Sequence, residues 1–74
     1  MHLKDLREQK KLSQTFLHIQ TGIDQSLLSK YERGERIPST SDLITLANFY
    51  HTSVDYLLER TDVKEPYPPM QASR

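Results

Sequence analysis

Leu3 and Leu6, with Leu12 closing the segment, recur at helical spacing and predict a first amphipathic helix over about residues 2–11. Ser13 is a good N-cap, because its hydroxyl can accept from the free N–H groups of the next turn. A second helix is predicted from Gln14 to about Thr21, stopped by Gly22, the residue best suited to a left-handed cap. Asp24 then caps a third helix from Gln25 to about Arg33, which ends at Gly34. Leu28 and Tyr31, three apart, mark its buried face and leave Ser26, Leu27, Ser29, Lys30 and Arg33 to its other faces. Ser39 and Asp42 form a Ser-x-x-Asp capping pattern before a fourth helix over Thr40 to Tyr50, with Leu43, Leu46, Ala47 and Tyr50 on its apolar side. His51 suits a position of positive φ just beyond it. Ser53 caps a fifth helix, Val54 to about Arg60, that buries Val54, Leu57 and Leu58.

From Thr61 the pattern changes. Pro66, Pro68 and Pro69 exclude helix and favour extended or turn backbone. The reading is therefore one all-α, five-helix domain over residues 1–60, followed by a short proline-rich C-terminal tail over residues 61–74, extended or disordered unless packed on something. The 74 residues contain no cysteine, which excludes disulfides and thiolate zinc sites, and only two glycines, too few for a phosphate-cradling loop. No window approaches the roughly 18 apolar residues of a membrane span, and the first residues lack an apolar secretory stretch. The expected location is thus the cytoplasm, on the nucleoid.

The chain carries ten Lys and Arg against ten Asp and Glu, so charge alone argues for no partner. The distribution is mildly asymmetric: residues 1–36 hold seven basic and five acidic side chains. The three histidines are scattered without a carboxylate cluster, so no metal site and no cofactor is expected. Glu8 with His18, or Asp55 with His51, can be imagined as acid–base pairs, but nothing places them in a pocket and no nucleophile joins them. No catalytic residues are assigned, and an enzyme is not expected.

Two short helices joined by a tight glycine-containing turn are a helix-turn-helix pattern. Leu12-Ser13-Gln14, then Thr21-Gly22-Ile23-Asp24-Gln25-Ser26, then Leu28-Ser29-Lys30-Tyr31-Glu32-Arg33-Gly34-Glu35-Arg36-Ile37-Pro38-Ser39 resembles the Cro/lambda-repressor family of DNA-binding domains, also called the xenobiotic-response-element family. Leu46-Ala47 and residues 53–58 continue the likeness, which covers about residues 3–59. The resemblance implies that helices two and three read DNA, usually as a homodimer on a two-fold symmetric operator.

Carried onto this chain, it makes Gln25, Ser26, Leu27, Ser29 and Lys30 the candidate base readers. Gln can bond adenine bidentately, Lys can reach guanine, and Leu27 can pack on a thymine methyl. Gln14, Arg33 and Arg36 are the candidate phosphate contacts, which fix register but carry no sequence information. Arg7 and Glu32 occupy positions that form an ion pair in relatives, and they are read as scaffold.

Four departures from the family pattern bear on this reading. His18 stands where relatives usually have alanine, and is expected to widen or tilt the contact between helices two and three. Lys11 replaces a glycine at the end of helix one, where a left-handed residue or a different turn is required. Phe16 and Ile19 replace polar residues, and are expected to lie under helix one or the tail. The alternative is a protein-binding patch. Tyr56 fits either a dimer contact or a surface-capping role. The expected function is a sequence-specific transcriptional regulator, a homodimeric repressor of bacterial type with double-stranded DNA as its partner. Regulation would come through abundance, a protein partner or the tail. The rival is a protein-interaction module of the same fold, such as an antitoxin-like or adaptor subunit.

Overall fold

The computed structural model describes residues 1–66 and contains five helices: α1 (Leu3–Gln9), α2 (Gln14–Thr21), α3 (Gln25–Glu32), α4 (Thr40–Phe49) and α5 (Val54–Leu57). Four of them start where a side chain accepts a backbone N–H that the helix itself leaves unpaired. Ser13 Oγ takes the Phe16 amide, Asp24 those of Ser26 and Leu27, Ser39 that of Asp42, and Ser53 that of Tyr56. The exception is α1, whose preceding residue His2 gives no side-chain cap. Its start is tied down by tertiary contacts instead. The His2 amide donates to the Leu57 carbonyl at 3.1 Å, and its ring stacks on Tyr56 at 4.5 Å.

Four of the five helix ends share one device. At the end of α1, Leu12 N–H bonds to Arg7 O and Lys11 N–H to Glu8 O, around a left-handed Lys11. The same double closure recurs around Gly34, His51 and Glu59, after α3, α4 and α5 respectively. Each is a Schellman closure, which satisfies the last carbonyls by reversing the chain. Two glycines thus serve where a positive φ is required, and three side-chain-bearing residues do the same work at φ near 55–60° (57°, 54° and 61°). The turn after α1 is therefore the glycine-type turn with lysine in it. The closure at Glu59 also corrects the sequence expectation for α5, which stops after a single turn rather than running to Arg60. Likewise α1 ends at Gln9 rather than near residue 11.

The core is built from leucines on the inner faces of all five helices. Leu3, Leu6, Leu17, Leu28, Leu46 and Leu57 are fully buried, with Ile23, Tyr31, Ala47 and Tyr50 beside them. Burying one such leucine contributes about 1.5–3 kcal/mol, so this set dominates the favourable side of folding. Leu43, Val54 and Leu58, expected on buried faces, are only half-buried at the rim.

The tail begins as a packed segment rather than a free one. The Thr52 hydroxyl donates to the Lys64 carbonyl at 2.5 Å, Lys64 Nζ reaches Gln9 Oε1 at 3.3 Å, and Pro66 lies at a groove lined by Ile44, Ala47 and Val54. The Tyr67-Pro68-Pro69-Met70 stretch lies outside the described residues.

Candidate nucleic-acid interface

Successive residues of an α-helix are about 100° apart, so the buried pair Leu28 and Tyr31 fixes which side of α3 faces out. Gln25, Ser26 and Lys30 are exposed on the opposite side, with Ser29 half-buried among them and Arg33 exposed one turn on. These five share one face. Leu27 does not: it flanks Tyr31 and packs half-buried against the core, which corrects the expectation that it lies clear of the buried face.

Several outward groups are already engaged. Gln25 Oε1 accepts from the Thr15 hydroxyl of α2 at 3.4 Å, and the Ser26 hydroxyl donates to Asp24 at 2.5 Å. That hydroxyl, followed by the Leu27 amide, holds the Asp24 carboxyl below the usual carboxylate range. Beyond the end of α3, Arg33 makes a fork to Glu35, Nε to Oε2 at 2.5 Å and Nη2 to Oε1 at 3.1 Å. Its Nη1 donates to the Ser29 hydroxyl oxygen. The fork lowers the Glu35 carboxyl, with nearby Lys30 adding to the effect, and raises the Arg33 guanidinium. Arg36 is exposed in the loop that follows.

Behind this face lies a partly buried polar cluster. Arg7 Nε and Nη2 bond to the two Glu32 carboxylate oxygens at 2.7 and 3.0 Å, while Arg7 Nη1 donates to the Leu12 carbonyl at 2.8 Å. Gln14 Nε2 donates to Glu32 Oε1 at 3.0 Å. The candidate phosphate clamp at the start of α2 is thus oriented by the same carboxylate that anchors α3. Glu32 first of all, with Glu8 adding, raises the Arg7 guanidinium against the opposing effect of burial.

His18 uses its ring in the turn between the two helices. Its Nδ1–H donates to the Ile23 carbonyl at 2.7 Å, which closes the turn that carries Gly22. Phe16 and Ile19 are 44% and 68% exposed, so α1 does not cover them. The expectation that helix one or the tail covers them fails for α1, because their side of α2 turns away from buried Leu17, and the tail beyond Pro66 lies outside the described residues. Tyr56 is half-buried under the His2 stack. Sequence reasoning missed Thr15, Glu35 and the Tyr31–Asp42 bond (2.6 Å) that joins α3 to α4. Only the last had a legible signal, in the aspartate of the capping pattern.

A capped helix with its polar side outward, joined to a second short helix through a left-handed glycine, is a helix-turn-helix unit. The chain belongs to the helix-turn-helix family of Cro/lambda-repressor type, whose family profile matches residues 3–57. It is 40% identical over 58 residues to the uncharacterized HTH-type transcriptional regulator YqaE of Bacillus subtilis (strain 168), covering 78% of this chain and 50% of that one. It is 36% identical over 63 residues to the HTH-type transcriptional regulator ImmR of the same organism, covering 85% and 50%. A third relative there, the uncharacterized HTH-type transcriptional regulator YobD, is 38% identical over 64 residues, covering 86% and 57%. The chain thus spans about half the length of the curated relatives it matches. No solved structure matches it significantly. No helix among the described residues is long and apolar enough to cross a membrane.

Proposed function

We propose that this protein is a DNA-binding transcriptional regulator without enzymatic activity, and that it acts in the cytoplasm, on the nucleoid, as a homodimeric repressor of a palindromic operator. The observation that carries the reading is the outward face of α3, where Gln25, Ser26, Ser29 and Lys30 share one side of a capped helix narrow enough for the major groove. The printed names of the relatives, all transcriptional regulators, support it.

In this reading α3 lies in the groove. Gln25 and Lys30 supply the main base contacts, and Ser26, Ser29 and the exposed part of Leu27 supply lesser ones. Gln14 and the positive end of α2 clamp one phosphate, and Arg36 grips another. Two half-sites would lie about 34 Å apart, one helical turn.

Selection of binding sites from a random duplex pool tests this directly, with the Gln25→Ala/Lys30→Ala double variant alongside. Enrichment of a palindrome by the native protein alone is the expected result. A folded native protein that enriches nothing defeats the proposal. A second reading, a protein-interaction module of antitoxin or adaptor kind, is favoured by the exposure of Phe16 and Ile19. Salt separates the two, since DNA affinity falls with a slope of about −0.9 per phosphate contacted.

A further inference from the structure

The end of α3 carries a charge arrangement that its helical spacing does not explain. Residues two apart on a helix point to different sides, so Arg33 and Glu35 would not meet on a continuous helix. They meet because the chain reverses at left-handed Gly34, where the Glu35 amide bonds back to the Lys30 carbonyl at 2.9 Å. That reversal sets the Glu35 carboxylate beside the Arg33 guanidinium, where both oxygens engage Nε and Nη2. The Ser29 hydroxyl takes Nη1 from the other side.

A phosphate approaching an arginine uses the same planar fork as a carboxylate does. Glu35 therefore occupies the edge of Arg33 that a DNA backbone would take, and places a negative charge where that backbone would come. We infer that Glu35 is an internal counter-charge that keeps Arg33 off the phosphate backbone and so sets how tightly the domain grips DNA. The inference rests on the proposed DNA-binding function. It replaces the expectation that Arg33 is itself a phosphate contact. Both side chains are about half exposed (54% and 53%), and an exposed pair of this kind is weak. The effect is therefore graded: Glu35 attenuates binding without abolishing it.

The test uses the full chain as native protein, Glu35→Gln, Arg33→Gln and the Glu35→Gln/Arg33→Gln double variant. Each is titrated on the selected operator and on an unrelated duplex over a range of potassium chloride. Glu35→Gln is expected to bind both duplexes more tightly at low salt, with a log–log salt slope steeper by about 0.9, one additional phosphate contact. Arg33→Gln is expected to leave the native slope nearly unchanged and to abolish the gain in the double variant. Three outcomes overturn the inference alone: an unchanged slope in Glu35→Gln, a gain that survives in the double variant, or a native slope that flattens by about 0.9 in Arg33→Gln. Failure of the folded native protein to bind any duplex overturns the proposed function, and this inference with it. Thermal melts of all four proteins, expected to coincide within a few degrees, establish that binding rather than folding is being compared.

Discussion

Arg7 of α1 and Glu32 at the end of α3 form a two-pronged ion pair, and the Glu32 side chain is only 4% exposed. The pair is closed on its outer sides by the Leu12 carbonyl and the Gln14 amide. All three guanidinium nitrogens and both carboxylate oxygens are engaged, which is the condition under which a buried charge pair is tolerated.

Arg7→Ala leaves the Glu32 charge buried with only the Gln14 amide for company, and is expected to cost about 3–5 kcal/mol. Arg7→Lys keeps the charge but loses the fork and the Leu12 bond, and is expected to recover only part of the loss. Urea unfolding curves read both. A native midpoint in Arg7→Ala contradicts the assignment.

Tyr50 is 3% exposed, and its hydroxyl has no hydrogen-bond partner among the described residues. Burial first, then the Glu32 charge, pushes its ionisation up to about 12, with Arg7 opposing. An unfolded tyrosine ionises near 10, roughly, so the neutral ring favours the fold fully below that pH. Stability is then lost as pH climbs from about 10 to about 12. Tyr31, raised by burial and by its bond to Asp42, acts in the same direction. Tyr50→Phe keeps the edge-on contact with Phe49 and removes one of these ionisations. Its alkaline loss, followed by denaturant melts at several pH values above neutrality, is expected to be shallower than native. Superimposable pH profiles would refute the buried-phenol account.

Lys11 holds a left-handed backbone at φ 57°. That conformation costs a side-chain-bearing residue about 1–2 kcal/mol. Glycine avoids the strain and gives back about 0.4–1 kcal/mol through its freer unfolded state. Lys11→Gly is therefore expected to raise Tm by a few degrees, read by circular dichroism. A lower Tm would mean that the lysine side chain stabilises the turn.

Lys30→Ala and Gln25→Ala are each expected to weaken binding to the selected operator by about 1–3 kcal/mol, or roughly fivefold to 150-fold. Their melting temperatures should stay close to native, because both side chains are exposed. Fluorescence anisotropy on labelled duplex measures the first, and thermal melts the second. Native affinity in both variants would remove α3 as the reader.

The helix starts were legible because Ser13, Asp24, Ser39 and Ser53 are local signals, each acting on amides two or three residues ahead. The stops were less so. Gly22 and Gly34 announce left-handed turns, whereas Glu59 at positive φ carries no such mark and Lys11 is marked only by its departure from the family pattern, so α5 and α1 read too long. At the interface, the outward positions of Gln25 and Lys30 followed from Leu28 and Tyr31 alone. The partners of Arg33 and Gln25 did not, because they depend on a chain reversal and on the facing of α2 against α3. The choice between cover and exposure for Phe16 and Ile19 fell the wrong way for a related reason: apolar character says that a residue prefers cover, and not whether a neighbour is there to give it.

Tyr31 and Glu32 are consecutive on α3, yet one is held by Asp42 of α4 and the other by Arg7 of α1. Two tethers about 100° apart on a helix leave no axis about which it can roll. The angular setting of α3 is thus locked from inside the protein, by residues that need never touch a ligand. Evolution can retune what that helix addresses in two independent ways, by changing its outward letters or by shifting the bolts behind it.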